Sequence, residues 1–106
     1  MSKNNVVIMD FFATWCSPCK MQHTVMEELK KKFIGDVIFK EIDVDMNREI
    51  ARKYDIHAMP TIIIEKGGKT FKRYVGLTRT KTLEDDINNA IKQDTKHEND
   101  EKQQIY

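Results

Sequence analysis

The chain has 106 residues, of which 40% are hydrophobic and 33% are charged. This composition is typical of one globular domain with a core of its own, and it argues against a disordered chain or two domains. Lysine and arginine number 18 against 17 acidic residues, so the formal net charge of +1 does not indicate nucleic acid or an anionic membrane as a partner.

The N-terminal residues do not have the pattern of a secretion signal. The apolar stretch of residues 6–9 is interrupted by Asp10 before it reaches the length of a signal core, and no segment approaches membrane-spanning length. We therefore expect a cytoplasmic protein in a reducing environment, with an organelle matrix as the alternative.

A buried strand followed by an amphipathic helix is predicted for the first third of the chain. Residues 6–12 are almost continuously apolar, as in a strand covered on both faces, and Asp10 is the exception among them. Apolar residues then recur at helical spacing as far as Phe33. Pro18 suits the first helical position, and Gly35 suits the stop.

The only two cysteines of the chain, Cys16 and Cys19, lie at the joint between this strand and this helix. A helix N-terminus favours the thiolate, and the C-x-x-C spacing brings the second sulfur within reach of the first. The pattern indicates a redox couple, with two inert buried thiols as the alternative. A zinc half-site is disfavoured because only His23 shares this helical face and a structural zinc site needs four ligands. We expect no metal.

A second strand and a short helix follow, in a connection that fits a parallel β-α-β unit. Residues 37–44 have the composition of a strand, and Asp45 or Asn47 could cap the helix after it. The residues expected to point inward from this helix are Ile50, Ala51 and Tyr54.

The remaining pattern predicts a hairpin and a last helix. Residues 62–64 and 70–75 read as strands separated by a tight glycine turn at residues 67–68. The helix is expected to begin near Thr80 or Thr82. Its apolar face comprises Leu83, Ile87, Ala90 and Ile91. We predict one domain over residues 1–92 and a polar, mobile tail over residues 93–106.

In this order, β-α-β-α-β-β-α, the chain resembles the thioredoxin family over residues 6–91. The signature segments are DFFATWCSPCKM at residues 10–21, DVD at 43–45, MPT at 59–61 and VG at 75–76. The resemblance implies an α/β thioredoxin-like fold, with a four-stranded mixed sheet flanked by helices. It implies the sheet order second, first, third, fourth, with the third and fourth strands antiparallel to the first two. Since five residues precede the first strand, we expect the N-terminal strand and helix of full-length thioredoxins to be absent.

The resemblance also implies roles for the chemically active residues. Cys16 attacks a partner disulfide, Cys19 resolves the mixed disulfide, and Asp10 behind Cys19 moves its proton. An Asp10 that is merely solvated at an edge is the alternative. We expect the pKa of Asp10 to be raised by burial and by Glu41 on the neighbouring strand.

A second group of residues is expected to support the site. A cis Pro60 would face Cys16 and hold the Met59 backbone where an extended substrate segment can pair with it. Met21 and Met26 are expected in the core, and His57 is expected to line the groove. The residues expected to shape or rim the site are Trp15, Ser17, Pro18, Lys20, Ala58, Met59, Pro60, Gly76 and Leu77.

Four positions depart from the family pattern. Ser17 replaces a glycine, Thr24 replaces a frequent proline, Phe12 replaces a common tryptophan, and Glu41 stands where some members carry lysine. None of these changes removes a catalytic group. Ser17 and Glu41 leave the redox potential open.

The function implied by the resemblance is protein-disulfide reduction in cell redox homeostasis. A thioredoxin reductase would supply electrons to a monomer without a bound cofactor, which would pass them to disulfide-bearing target proteins. A thiol oxidant or disulfide isomerase is the enzymatic alternative. The non-enzymatic alternatives are an interaction module that keeps the fold for binding, or one that bridges an iron-sulfur cluster between two copies.

Overall fold

The elements of the fold follow the predicted order. The computed structural model describes residues 4–93. Its elements are β1 (Val6–Phe12), α1 (Ser17–Lys32), β2 (Ile38–Asp43), α2 (Arg48–Lys53), β3 (Thr61–Lys66), β4 (Lys69–Val75) and α3 (Thr80–Lys92). No helix in this part of the chain has both the length and the apolar composition needed to cross a membrane. The predicted tail lies, apart from Gln93, outside the described residues.

The four strands form one mixed sheet in the predicted order β2-β1-β3-β4. β1 pairs with β2 in parallel and with β3 antiparallel, and β4 pairs antiparallel with β3. The expectation that both β3 and β4 oppose the first two strands is therefore wrong for β4. The turn at Gly67 and Gly68, both at positive φ, reverses the chain once more, so β4 runs in the direction of β1.

The position of β1 near the middle of the sheet explains its apolar sequence. Its side chains alternate between two cores, with Val6 and Ile8 packed beneath α1 and α3, and Met9 and Phe11 on the opposite face. Asp10 has the same parity as Ile8, so its carboxyl group lies on the face that α1 covers. This is how a charged residue comes to be buried in the sheet.

The short helix α2 buries less than predicted. Ala51 is buried, but Ile50 is 40% exposed, and Tyr54 lies just past the helix end, where its ring packs against Phe11 at 5.6 Å between centroids. Adjacent helical positions point about 100° apart, so with Ala51 facing the sheet Ile50 lies at the edge of the contact. Asn47 is the N-cap residue, although its side chain makes no capping bond.

Candidate active site

The two cysteines lie where the chain passes from β1 into α1. Cys16 is the N-cap residue of α1, with φ −92° and ψ 112°, and its N–H donates to the carbonyl of Ala13 at 3.1 Å. Ser17 is the first helical residue and Pro18 the second, a position that requires no backbone N–H partner. The predicted strand-to-helix joint is confirmed.

The two sulfur atoms of Cys16 and Cys19 are joined in a disulfide bond, with 5.4 Å between the Cα atoms. Both cysteines are buried in this oxidised form, with exposed fractions of 6% for Cys16 and 5% for Cys19. The two cysteines differ in their surroundings. Cys16 lies beside the Met59 loop, whereas Cys19 lines a cavity on the other side of the helix start.

The peptide bond between Met59 and Pro60 is cis, as predicted. Here the carbonyl oxygen of Met59 lies 3.5 Å from Sγ of Cys16. Two bonds hold this loop: the Gly76 N–H donates to the Pro60 carbonyl at 2.8 Å, and the Thr61 hydroxyl donates to the Ala58 carbonyl at 2.6 Å. A substrate segment bound along Met59 would therefore pass directly over Cys16.

A groove of about 680 Å³ lies beside the disulfide. The residues that line it are Ser17, Pro18, Lys20, Met21, Met59, Pro60, Gly76 and Leu77. Met26 is buried as predicted, but the prediction that Met21 belongs to the core is wrong, because Met21 is 62% exposed. The buried stripe of α1 runs through Gln22, Met26 and Leu29, and Met21 lies to one side of it, facing the groove.

Two aromatic residues expected near the groove make other contacts. Trp15 is 69% exposed, and its indole N–H donates to Asp45 Oδ2 at 2.9 Å, which holds the ring at the rim of the site. His57 does not line the groove, so that prediction is wrong. Its Nε2 lies 2.7 Å from Asp55 Oδ1, at the exposed end of α2.

Asp10 is buried behind the cysteines, with an exposed fraction of 2%. This confirms the expected burial and excludes the solvated alternative. Within the described part of the chain, its Oδ1 atom has no hydrogen-bond partner. Burial, together with the charge of Glu41, raises the pKa of Asp10 to about 7, against opposing effects from His23 and Lys30.

A cavity of about 390 Å³ connects Asp10 with the second cysteine. It is lined by Asp10, Phe12, Ala13, Thr14, Cys19, Lys20, His23 and Glu41. The space is large enough for water, whose share of liquid volume is about 30 Å³, and polar groups are available to bind it. A carboxyl group that titrates near neutral pH can there exchange a proton with Cys19, directly or through water.

An ion-pair cluster that sequence reasoning missed lies at the mouth of this cavity. The imidazole of His23 has its Nδ1 2.8 Å from Glu41 Oε2 and its Nε2 3.8 Å from Glu27 Oε2. Lys30 lies 3.0 Å from the same Glu27 oxygen and 3.9 Å from Glu41. The spacing of Cys19, His23, Glu27 and Lys30 along one face of α1 was the available signal, but Glu41 comes from another element.

This cluster also contains the atoms from which a metal site could be built. The potential ligand atoms of His23, Glu27 and Glu41 lie within 4.8 Å of one another. The Glu41 carboxylate faces Nδ1 of His23, and the Glu27 carboxylate faces Nε2 of the same ring. The Lys30 ammonium forms a salt bridge with Glu27. The arrangement therefore already contains a cation that offsets part of the carboxylate charge.

Gln22 links α1 to the loop after β4, which includes the groove residues Gly76 and Leu77. It is fully buried; its side-chain N–H donates to the Thr78 carbonyl at 3.1 Å, and its Oε1 accepts from the Thr78 N–H at 2.8 Å. These two bonds satisfy both backbone groups of Thr78, two residues past Gly76.

Gln22→Ala is expected to lower the free energy of unfolding by about 2–4 kcal/mol, because it leaves two backbone groups of Thr78 unpaired and opens a cavity. Urea denaturation of the oxidised protein measures the loss. Thr24→Ala, at an exposed position of the same helix, is the control and should change stability by less than about 0.5 kcal/mol. A loss below about 1 kcal/mol for Gln22→Ala would show that water replaces both bonds.

Two sulfurs held at bonding distance, beside a loop that can receive an extended peptide, suit one reversible reaction, the exchange of a disulfide between proteins. The model of the thioredoxin family matches residues 1–89. The chain belongs to the thioredoxin family.

Curated relatives and a solved structure agree with this assignment. A thioredoxin of Mycobacterium bovis is 43% identical over 76 residues, which are 72% of this chain and 66% of that protein. The bifunctional thioredoxin reductase/thioredoxin of Mycobacterium leprae is 37% identical over 91 residues, 86% of this chain but 20% of that protein. The reduced thioredoxin pre-protein of Schistosoma mansoni has a similar structure, with a TM-score of 0.74, 46% identity and coverage of 82% of this chain and 80% of that one. The chain thus spans about two thirds of the mycobacterial thioredoxin and a fifth of the bifunctional protein.

Proposed function

We propose that this chain is a thioredoxin-type protein-disulfide reductase. The observation that carries the proposal is the Cys16–Cys19 couple beside the Met59 carbonyl, with a substrate-sized groove on one side and a buried acid on the other. No single element provides this arrangement, because β1, α1 and the loop before β3 each contribute one part.

The catalytic cycle transfers two electrons in two exchange steps. The Cys16 thiolate attacks one sulfur of a target disulfide, forms a mixed disulfide and releases the first target thiolate, which takes a proton from solvent. Cys19 then gives its proton to Asp10 and attacks Cys16. The Cys16–Cys19 bond forms, the second target thiolate leaves and is protonated, and the target is reduced by two electrons.

The groove supports protein substrates with an extended segment next to the disulfide. Its walls combine exposed apolar side chains, including Met21 and Leu77, with the accessible backbone of Met59. Such a segment could add to the loop as a short strand while its apolar side chains cover the rim. Trp15, fixed by Asp45, would close one side.

The electron donor that we propose is a thioredoxin reductase. One relative, from Mycobacterium leprae, carries both activities in its name. We place the reaction in the cytoplasm, where a reducing environment allows the dithiol form to be regenerated. In this scheme the monomer acts without a bound cofactor, because the two sulfurs themselves store the electron pair.

Coupled turnover together with the redox potential tests this function. With NADPH, a thioredoxin reductase and insulin, the chain should accelerate insulin reduction. Its Cys16–Cys19 potential should be about −270 mV, the value that characterises thioredoxins as a class. A potential of about −180 mV or above would instead support an isomerase or oxidant. If the chain does not accelerate insulin reduction over the rate with the donor alone, for any donor including dithiothreitol, the result would favour a binding module.

A further inference from the structure

We propose that Glu41 and His23 form the proton path that links the buried Asp10, at the bottom of the cavity behind Cys19, with solvent. The inference rests on the proposed reductase function, since it assigns the route by which the proton of that reaction leaves the domain. It adds Glu41 and His23 to the three residues that take part in the proposed reaction, which are Cys16, Cys19 and Asp10.

The need for such a path follows from the burial of Asp10. The side chain is 2% exposed in a strand covered by α1, and its Oδ1 has no partner among residues 4–93. If Asp10 takes a proton from Cys19 in each cycle, it must lose that proton before the next. A carboxyl group without direct access to solvent can do so only through neighbouring groups or water.

The inner half of the path is set by the pairing of two strands. Asp10 on β1 and Glu41 on β2 are register partners, so both side chains emerge on the same face of the sheet. Both line the 390 Å³ cavity, which has room for water between them. Glu41 is the outer of the two, with 28% of its side chain exposed.

The outer half is the contact between Glu41 and His23. His23 Nδ1 lies 2.8 Å from Glu41 Oε2, within hydrogen-bond distance, and 56% of the imidazole side chain is exposed. An imidazole can accept a proton at one nitrogen and release one from the other, so it suits the last position before bulk water.

The other charged groups around this point are less suited to carry the proton. Lys30 bonds to Glu27, which raises the pKa of the lysine, so its ammonium stays charged and acts as a fixed positive charge. The same contact lowers the pKa of Glu27, whose carboxylate lies 3.8 Å from His23 on the solvent side. Lys20 also lines the cavity but is exposed. Glu41 and His23, in contrast, connect the cavity wall with solvent through a short contact that can pass a proton.

The proton balance of the path is simple. As Cys19 attacks Cys16, the thiol proton of Cys19 passes to the Asp10 carboxylate. Asp10 then passes this proton through cavity water to the Glu41 carboxylate, and Glu41 transfers it to Nδ1 of His23. The resulting imidazolium releases an N–H proton to bulk water, so one proton leaves and no electrons move along the path.

Stopped-flow reduction of an aromatic disulfide with a coloured leaving thiol tests the proposal. Release of the first thiol reports the attack by Cys16, and release of the second reports resolution by Cys19. His23→Gln keeps a hydrogen-bonding side chain but cannot carry a proton. At pH 7 in dilute buffer with EDTA, a share of the molecules starts with Asp10 protonated and must lose that proton before Cys19 can attack. The variant should therefore slow the second phase about five- to ten-fold and leave the first unchanged, a smaller effect than the roughly 10²–10⁴-fold of a group that transfers the proton in the step itself.

Chemical rescue separates proton transfer from positioning. Added imidazole should restore the second phase of His23→Gln, because a small buffer can then take the proton from Glu41. Glu27→Gln, the control on the same helical face, should change the second phase by less than about two-fold, since Glu27 lies outside the cavity. An unchanged second phase in His23→Gln, or a slow phase that imidazole does not restore, overturns the path.

A second measurement does not depend on turnover. The carboxyl carbon signal of Asp10 near pH 7 reports how fast its proton exchanges with solvent, and His23→Gln should broaden this signal, with added imidazole sharpening it again. Equal line widths in the two proteins overturn the path even if the reductase is active. Absence of the first coloured thiol from the unaltered chain, in contrast, contradicts the proposed function itself.

Discussion

Cys16→Ser is expected to abolish disulfide reduction. Serine retains the shape of the N-cap residue but removes the sulfur that lies beside the Met59 carbonyl. Insulin reduction with a thioredoxin reductase should fall at least about a hundred-fold, because the loss of an attacking nucleophile leaves only the uncatalysed reaction.

Cys19→Ser should behave differently, and it serves as the matched variant. It retains the attacking sulfur and lacks the resolving one, so it should accumulate mixed disulfides with target proteins, visible as adducts on non-reducing gels and released by dithiothreitol. Accumulation of adducts by Cys16→Ser and not by Cys19→Ser would reverse the two roles. Adducts with neither variant would contradict the exchange mechanism.

Asp10→Asn is expected to stabilise the fold at alkaline pH. The carboxyl group titrates near pH 3.8 when unfolded and near pH 7 in the fold, so the folded state binds its proton more tightly. The contribution of Asp10 to stability is therefore lost as pH rises from about 4 to about 7, and the full loss, of the order of 4 kcal/mol, is present above pH 7. Asparagine does not ionise and avoids this loss.

Urea denaturation of both oxidised proteins from about pH 4 to pH 9 measures this effect as a difference, so that other titrating groups cancel. The variant should be about 2–4 kcal/mol more stable at pH 8, with the advantage disappearing towards pH 4. A difference that does not change with pH would show that Asp10 ionises in the fold as freely as in the unfolded chain. The same variant should resolve mixed disulfides more slowly, so that greater stability accompanies lower activity.

Asp10 also shows how function and stability oppose each other in this domain. A hydrophobic residue at this position would complete the core beneath α1, where Val6 and Ile8 already pack. The carboxyl group lowers the stability of the fold, and we attribute its presence there to a role in proton transfer near neutral pH. The contacts of Glu41 with His23 and Lys30 set the local charge on which that pKa depends.

The helices, the strands and the reactive pair could be predicted from the sequence because all of them are encoded locally. Alternation and helical periodicity are properties of neighbouring residues, and so are the Cys16–Cys19 spacing and the helix start after it. The resemblance to thioredoxins adds the cis bond at Pro60 and the strand order, which no local pattern contains. Asp10 stands out because one acid in a run of apolar residues is visible without a structure.

Contacts between side chains of different elements, in contrast, depend on the tertiary structure. Spacing assigns Met21 and Ile50 to the core, but the width of each helix face in contact with the sheet leaves them exposed. His23 and Glu41 are 18 residues apart and belong to a helix and a strand, so their 2.8 Å contact depends on how α1 crosses β2. Periodicity predicts which face of an element is apolar, whereas the position of that face over its neighbours depends on packing of the whole core.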